Sequence, residues 1–441
     1  MLRDRPLPGF RFAVGASLAA LLAVACISSE NDGDDAAPGA GGTAGNSGDP
    51  ADSAVIAMGG QDGGGQDAGV PDGAAAACVP VVLKEPTVGD LVDAGTVKPP
   101  PLVPSGLDSR PATTTCLPFP RPTGQPNDPF PQDLAATGCF TPGNLREVVQ
   151  GPIPYDLNSP LWSDGAAKRR WMVLPAGGKI AIGRNGHFDF PIGTMLIKSF
   201  ELDGLMLETR FLVRHTDGEW AGYTYEWDAG GANSAKLHRS SASVRRIGEL
   251  RWVFPGRDNC LECHTKPAGR SLGPEVGQLN RDFVYPNGRR ANQLATYQQI
   301  GLFETALGDL AKLTRFAQPA IASTGTVAER ARAYLHANCA HCHQPGGTKE
   351  NFFDLRVATP LDMTSTVQVS PIRGAFGLDN SHLIAPGNPD NSMIYLRMGS
   401  LVADIRMPTI GSNKLDDVGL TLVKAWVKSL SCKTPGSGRS N

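Results

Sequence analysis

Two short stretches hold the residues best suited to chemistry: NCLECHTK, from Asn259 to Lys266, and the crowded run YLHANCAHCHQPGG, from Tyr334 to Gly347. Each contains Cys-x-x-Cys-His. On one helical turn, cysteines at i and i+3 share a face and the histidine at i+4 stands beside the second. Two thiols so placed can bond to the two vinyl edges of a haem while the imidazole reaches its iron, which is the attachment signal for c-type haem. The expectation is two covalently attached haem c groups, on Cys260 and Cys263 and on Cys339 and Cys342, with His264 and His343 as iron ligands.

A zinc site of four thiolates could use the same pairs. Zinc ribbons separate their pairs by about 15–20 residues, whereas Cys263 and Cys339 lie much further apart, in segments of different character. A redox dithiol would want a βαβ setting, and the sequence around neither motif has one.

For the second haem, the downstream methionines are Met363, Met393, Met398 and Met407. Met393 and Met398 fall in SMIYLRM, an amphipathic segment where methionine usually fills core. Met407, in IRMPTIG, is the expected sixth ligand, and its thioether would favour Fe(II). His336 and His341 are read as solvated or propionate-contacting rather than ligating. After His264 there is neither Met nor His until His336. The first haem must therefore borrow His336, His215, His238 or a methionine of the preceding β region, or keep an open five-coordinate iron.

The elements that must position these motifs change character along the chain. Residues 79–150 are proline-rich, with a hint of a short helix at Pro142 to Val149. Residues 151–256 alternate with period two, as in LMLETRFLVRH and WAGYTYEW, and carry hairpin signals at Asn185-Gly186, Asp203-Gly204 and Asp217-Gly218. This predicts an antiparallel β domain, a sandwich or partial barrel. Residues 257–320 form the first haem-binding segment and 321–432 the second, with helices expected over 291–304, 326–337 and 415–430. Thr326 and Glu329 stand in capping-box positions, and Ser412 or Asn413 is expected to cap the last helix. Trp162, Trp171, Tyr223 and Trp227 are expected in the core or as a pad against the first haem. The run Lys168-Arg169-Arg170 reads as a solvated edge, with docking of an acidic partner or of haem propionates as the alternative.

The N-terminus reads as an export signal over residues 1–25, ending in Leu21-Leu22-Ala23-Val24-Ala25-Cys26. That ending resembles a bacterial lipoprotein box, with Cys26 as the lipidated residue. Residues 26–78 are mostly Gly, Ala, Ser and Asp and are expected to be a disordered tether, and 433–441 a disordered tail. Four cysteines lie outside the motifs and the lipid box. The favoured pairing is Cys116 with Cys139, leaving Cys78 with Cys432. With 41 Lys+Arg against 43 Asp+Glu, there is no electrostatic footprint for nucleic acid.

From Gly138 to Leu430 the chain resembles a bacterial family of exported dihaem c-type cytochrome-like proteins. The resemblance rests on YDLNSPLWSDGAAKRRW, FDFPIGTMLIKSF, ETRFLVRHTDGEWAGYTYEW, CLECHTKPAGRSLGPEVGQLNRDF, YLHANCAHCHQPGG and LIAPGNPDNSMIYLRM followed by RMPTIG. The stretch from Gly325 to Cys432 resembles a class I cytochrome c domain. The fold expected is thus α+β and multidomain: an antiparallel β-sandwich or partial barrel, then helical c-type haem segments ending in a class I cytochrome c-like all-α domain. The resemblance implies a redox partner, such as a periplasmic quinoprotein-type dehydrogenase. The expected function is single-electron relay with no catalytic residue, lipid-anchored at a Gram-negative outer membrane and facing the periplasm or cell surface. The alternatives are a peroxidase-like or oxidase-like enzyme using an open first haem, and a β-domain binding protein with accessory haem.

Overall fold

The period-two stretch builds one antiparallel sheet: β1 (Ile153–Tyr155), β2 (Ala167–Val173), β3 (Met195–Leu202), β4 (Leu205–Arg214), β5 (Trp220–Trp227) and β6 (Ala235–Leu237). Each strand pairs with its neighbours along the chain, so the spatial order is β6-β5-β4-β3-β2-β1. Between β3 and β4, Asp203 and Gly204 turn at φ 49° and 81°, the doubly positive pair that suits a tight hairpin. The computed structural model describes residues 78–433, apart from 83, 93–97, 113, 126–127, 231–232, 239 and 348–351. The signal segment, the Cys26 lipid site, the tether up to residue 77 and the tail from 434 lie outside the described residues.

Both faces of the sheet are covered, by different partners. On one face Trp171, Ile197, Phe211, Tyr225 and Trp227 pack against Phe119, Phe130, Leu134 and Phe140 of the proline-rich segment, which the Cys116–Cys139 disulfide closes. On the other, Met172, Leu196, Leu212 and Trp220 pack against α2 (Val276–Leu279) and α3 (Gln293–Gln299) through Val276, Leu279, Leu294 and Tyr297.

The expected sandwich or partial barrel is not formed. Among the described residues the sheet is open, β1 and β6 are its two edges, and the other sheets are two-stranded ribbons. The covering layer forms only a short ribbon and no second sheet, because proline lacks the N–H that a ladder requires. Instead, single contacts dress the edges: Leu237 N donates to the Gln132 carbonyl at 2.7 Å, and the Tyr297 hydroxyl donates to the Pro154 carbonyl at 3.1 Å. The helix hinted at Pro142 to Val149 is a strand, Asn144–Val148, paired with Phe140–Thr141.

The C-terminal region also departs from expectation, because it is not a class I all-α cytochrome domain. Among the described residues its α-helices are α4 (Val327–Leu335), α5 (Met393–Met398) and α6 (Asp417–Ser429), all of moderate or short length. Between α4 and α5 the Pro, Gly, Asn and Asp content favours turns over helix. The chain ends this region in a strand, Leu430–Lys433, paired with Val79–Val82 and stapled by the Cys78–Cys432 disulfide. Leu335, Ile384, Leu422 and Trp426 form the local core. The Thr326 and Glu329 capping box opens α4 as anticipated. The cap of α6 is Asp416, whose carboxylate accepts from Gly419 N at 3.0 Å, rather than Ser412 or Asn413.

Candidate functional site

The first motif begins in α1 (Arg257–Cys263), where the Asn259 side chain accepts from Gly256 N at 3.0 Å and fixes the entry. The helix lies on β5 because Gly222 has no side chain: a Cβ there would come 2.5 Å from Cys260 Sγ. His264 follows the last turn and is held by the Arg270 loop. Its Nδ1 is 2.5 Å from the Arg270 carbonyl, while Arg270 Nη1 donates back to the His264 carbonyl at 3.1 Å. A carbonyl only accepts, so Nδ1 carries the proton and Nε2 keeps its lone pair, the tautomer a metal ligand needs. Arg270 and Leu272 sit at φ 59° and 48°, left-handed conformations uncommon for such residues. Burial, reinforced by Lys198, pulls His264 down to about 3.

The second motif continues α4 through a widened turn, His336–Ala340, a helix irregularity often found at functional sites. The loop between β1 and β2 grips it. Ser159 Oγ donates to the Ala333 carbonyl at 3.0 Å, and Trp162 N donates to Asn338 Oδ1 at 2.7 Å. The His343 ring stacks on Phe353 at 4.4 Å, and its carbonyl accepts from Leu355 N at 2.9 Å. Burial pushes the Cys339 thiol up to about 12.

The two motifs line the same cavity, which holds about 2050 Å³ of atom-free space, part of it open to solvent. Cys260, Cys263, His264, Cys339, Cys342 and His343 are all on its wall. Across it, Cys263 Sγ, Cys342 Sγ and a ring nitrogen of His341 lie within 4.8 Å of one another. The Cys263 thiol donates to the Cys342 sulfur, which raises Cys263 and lowers Cys342. Sequence spacing gave no hint of this meeting; it comes from the sheet carrying one motif and gripping the other. Neither Cys260, against Gly222, nor Cys339, against the α4–α6 core, joins that group.

Of the four methionines after His343, only Met407 lines the cavity. Met363 is 69% exposed and Met393 1% exposed, and Met398 packs in the C-terminal core. The Met407 loop is docked on Asp164, whose carboxylate accepts from Lys414 N at 2.9 Å and Asn413 Nδ2 at 3.3 Å. Trp162 Nε1 donates to the Lys414 carbonyl at 3.0 Å.

The histidines considered for the first iron fare differently. His215 shares a hydrogen bond with the Tyr223 hydroxyl at 2.9 Å, and His238 is held between Glu226 and the Ser241 carbonyl; neither lines the cavity. His336 does line it, but its Nδ1 accepts from Val357 N at 3.2 Å and its Nε2 faces Glu275 at 3.0 Å. His187, a lone histidine beside a hairpin, carries no sequence motif that would mark it. It lies on the wall against Gly269, with Nδ1 3.9 Å from Glu275, and its Nε2 has no hydrogen bond among the described residues.

The basic run Lys168-Arg169-Arg170 is not simply a solvated edge. Lys168 and Arg170 face the cavity, while Arg169 pairs with Glu201 at 3.8 Å on the outer side. Of the four aromatics named above, Trp162 and Tyr223 line the cavity, while Trp171 and Trp227 are core.

Comparison of the chain with protein-family models, with curated proteins and with solved structures yields no match.

The residues present fit a covalently held tetrapyrrole. Two thiols per motif reach the cavity, His264 presents the ligating tautomer, and the Met407 thioether and the His187 imidazole share the wall.

Proposed function

We propose that the protein is an exported dihaem c-type cytochrome that relays single electrons. Cys260 and Cys263 would hold one haem c with His264 as ligand, and Cys339 and Cys342 the other with His343. The observation that carries this reading is the shared cavity, with the second cysteine of each motif beside the other. Two groups anchored there would have their attached edges close together, a short path for electrons. When bound, the haems supply the reversible one-electron iron couple.

The chain's own residues set the conditions for it. The Arg270 carbonyl keeps the Nδ1 proton of His264 in place. The Asp164 anchor holds the Met407 loop, which makes Met407 the sixth ligand proposed for the second haem. His187 is the wall histidine we propose for the first. With both positions filled, neither iron would be open, which would favour relay over the peroxidase-like or oxidase-like alternative. Lipid anchoring through Cys26 and an electron donor of the quinoprotein dehydrogenase type belong to the same proposal and rest on the sequence resemblance.

The deciding experiment is a pyridine haemochrome assay with intact mass on protein exported by a cell with the haem c attachment machinery. Two covalent haems per chain are expected. A second reading has one specific observation behind it: Cys263, His341 and Cys342 could together bind a thiophilic metal ion such as zinc. Stoichiometric zinc with no haem would replace the first reading with this one.

A further inference from the structure

The inner face of the sheet carries a row of like charges. Register sets Arg170 on β2 opposite Lys198 on β3, and Lys198 opposite Arg210 on β4. All three line the cavity, with Lys168 one step along. Directly opposed like charges on adjacent strands destabilise a sheet, and burial enlarges the cost.

The available counter-charges do not cover the row. Arg170 Nη1 meets Asp156 at 2.9 Å, but Asp156 also serves Arg281 at 3.0 Å. Arg210 pairs with Glu208. Lys198, in the middle, has no ion-pair or hydrogen-bond partner among the described residues. The Arg170 side chain is only 4% exposed, and its Nε, like that of Arg210, is buried without a hydrogen bond. Guanidinium and ammonium groups are the donors that recognise carboxylates by charge-assisted hydrogen bonds.

We infer that Arg170, Lys198 and Arg210 form an anion site that takes carboxylate groups within the cavity, next to the first motif. The carboxylates have two chemical sources: the propionates of a haem held by Cys260 and Cys263, which rests on the proposed function, or a free small dicarboxylate.

Lys198→Met in the full-length exported protein tests the site, because it removes the central charge while keeping the length of the side chain. Two quantities are read: the midpoint potential of each haem, and the melting temperature in succinate against chloride at matched ionic strength. If propionates fill the row, Lys198→Met lowers the potential of the first haem, leaves the second unchanged, and succinate stabilises neither protein. If a free dicarboxylate fills it, succinate raises the wild-type melting temperature above that in chloride, and Lys198→Met abolishes the difference. A haem-free chain that still shows this Lys198-dependent succinate effect keeps the anion site and rejects the haem reading. The inference is overturned if Lys198→Met changes neither the potential nor the succinate response, or if a haem-free chain shows no succinate response.

Discussion

The two Cys-x-x-Cys-His motifs are the same five-residue device set in opposite surroundings. The first rests on a β-sheet, against the bare backbone of Gly222, with Lys198 and Arg210 nearby and a strained loop clamping its histidine. The second grows out of a capped helix packed on α6, with an apolar core behind Cys339 and a methionine loop on its cavity side. One setting is charged and built on strands that pair with their chain neighbours, the other apolar and built by packing α4 against the sequence-distant α6. In the proposed reading the motif would specify attachment, while its surroundings would specify the redox character.

The largest expected effect separates the two attachments. Replacing Cys260 and Cys263 by Ala, or Cys339 and Cys342 by Ala, should each remove half of the covalent haem, read by pyridine haemochrome. Complete loss from either pair would show that one attachment depends on the other. Next in size is Gly222→Ala. The added methyl meets Cys260 Sγ at 2.5 Å, and overpacking of this kind costs about 1–3 kcal/mol. Denaturant unfolding should show the loss, together with incomplete attachment at the first motif and normal attachment at the second.

The axial positions sharpen the contrast further. Met407→Ala should abolish the sulfur-to-iron absorption band at the red end of the oxidised spectrum and lower the potential of the second haem. His187→Ala should leave that band alone and make the reduced first haem bind carbon monoxide. Carbon monoxide binding by the unaltered protein would remove His187 as a ligand and restore the open-iron alternative.

How much of this could be read in the sequence depends on how locally each feature is fixed. Features fixed by neighbours along the chain were legible: the motif spacing, the Thr326–Glu329 cap, the Asp203-Gly204 hairpin and the alternation of β4 and β5. The disulfide pairings also matched expectation, since few partners were open to them. What the sequence hid depended on coverage. Alternation alone sends Lys168 and Arg170 to one side and Arg169 to the other, but which side looks into a cavity is decided by α1, α4 and their loops. The sandwich expectation failed because the proline-rich segment covers the sheet with coil and one short ribbon rather than with a second sheet. The all-α expectation failed because turn-forming residues fill the chain between α4 and α5.

A pH dependence confined to the charged setting tests the contrast in another way. Lys198 is pulled down to about 7 from an ordinary 10.5 by burial, with Arg170 and Arg210 adding to it and Glu208 and Cys263 opposing. Lys168 and His264 line the same cavity. Between about 7 and 10.5 the unfolded chain binds a proton at this lysine that the folded chain does not, so stability rises with pH across that window. Below about 7 both states are protonated and this contribution levels off. An anion on the row favours the charged lysine and shrinks the rise. Urea midpoints measured across the window should therefore climb with pH, climb less in the presence of the bound carboxylate, and lose this component in Lys198→Met. A slope unchanged in that variant would assign the dependence to another group and leave Lys198 charged in the folded chain.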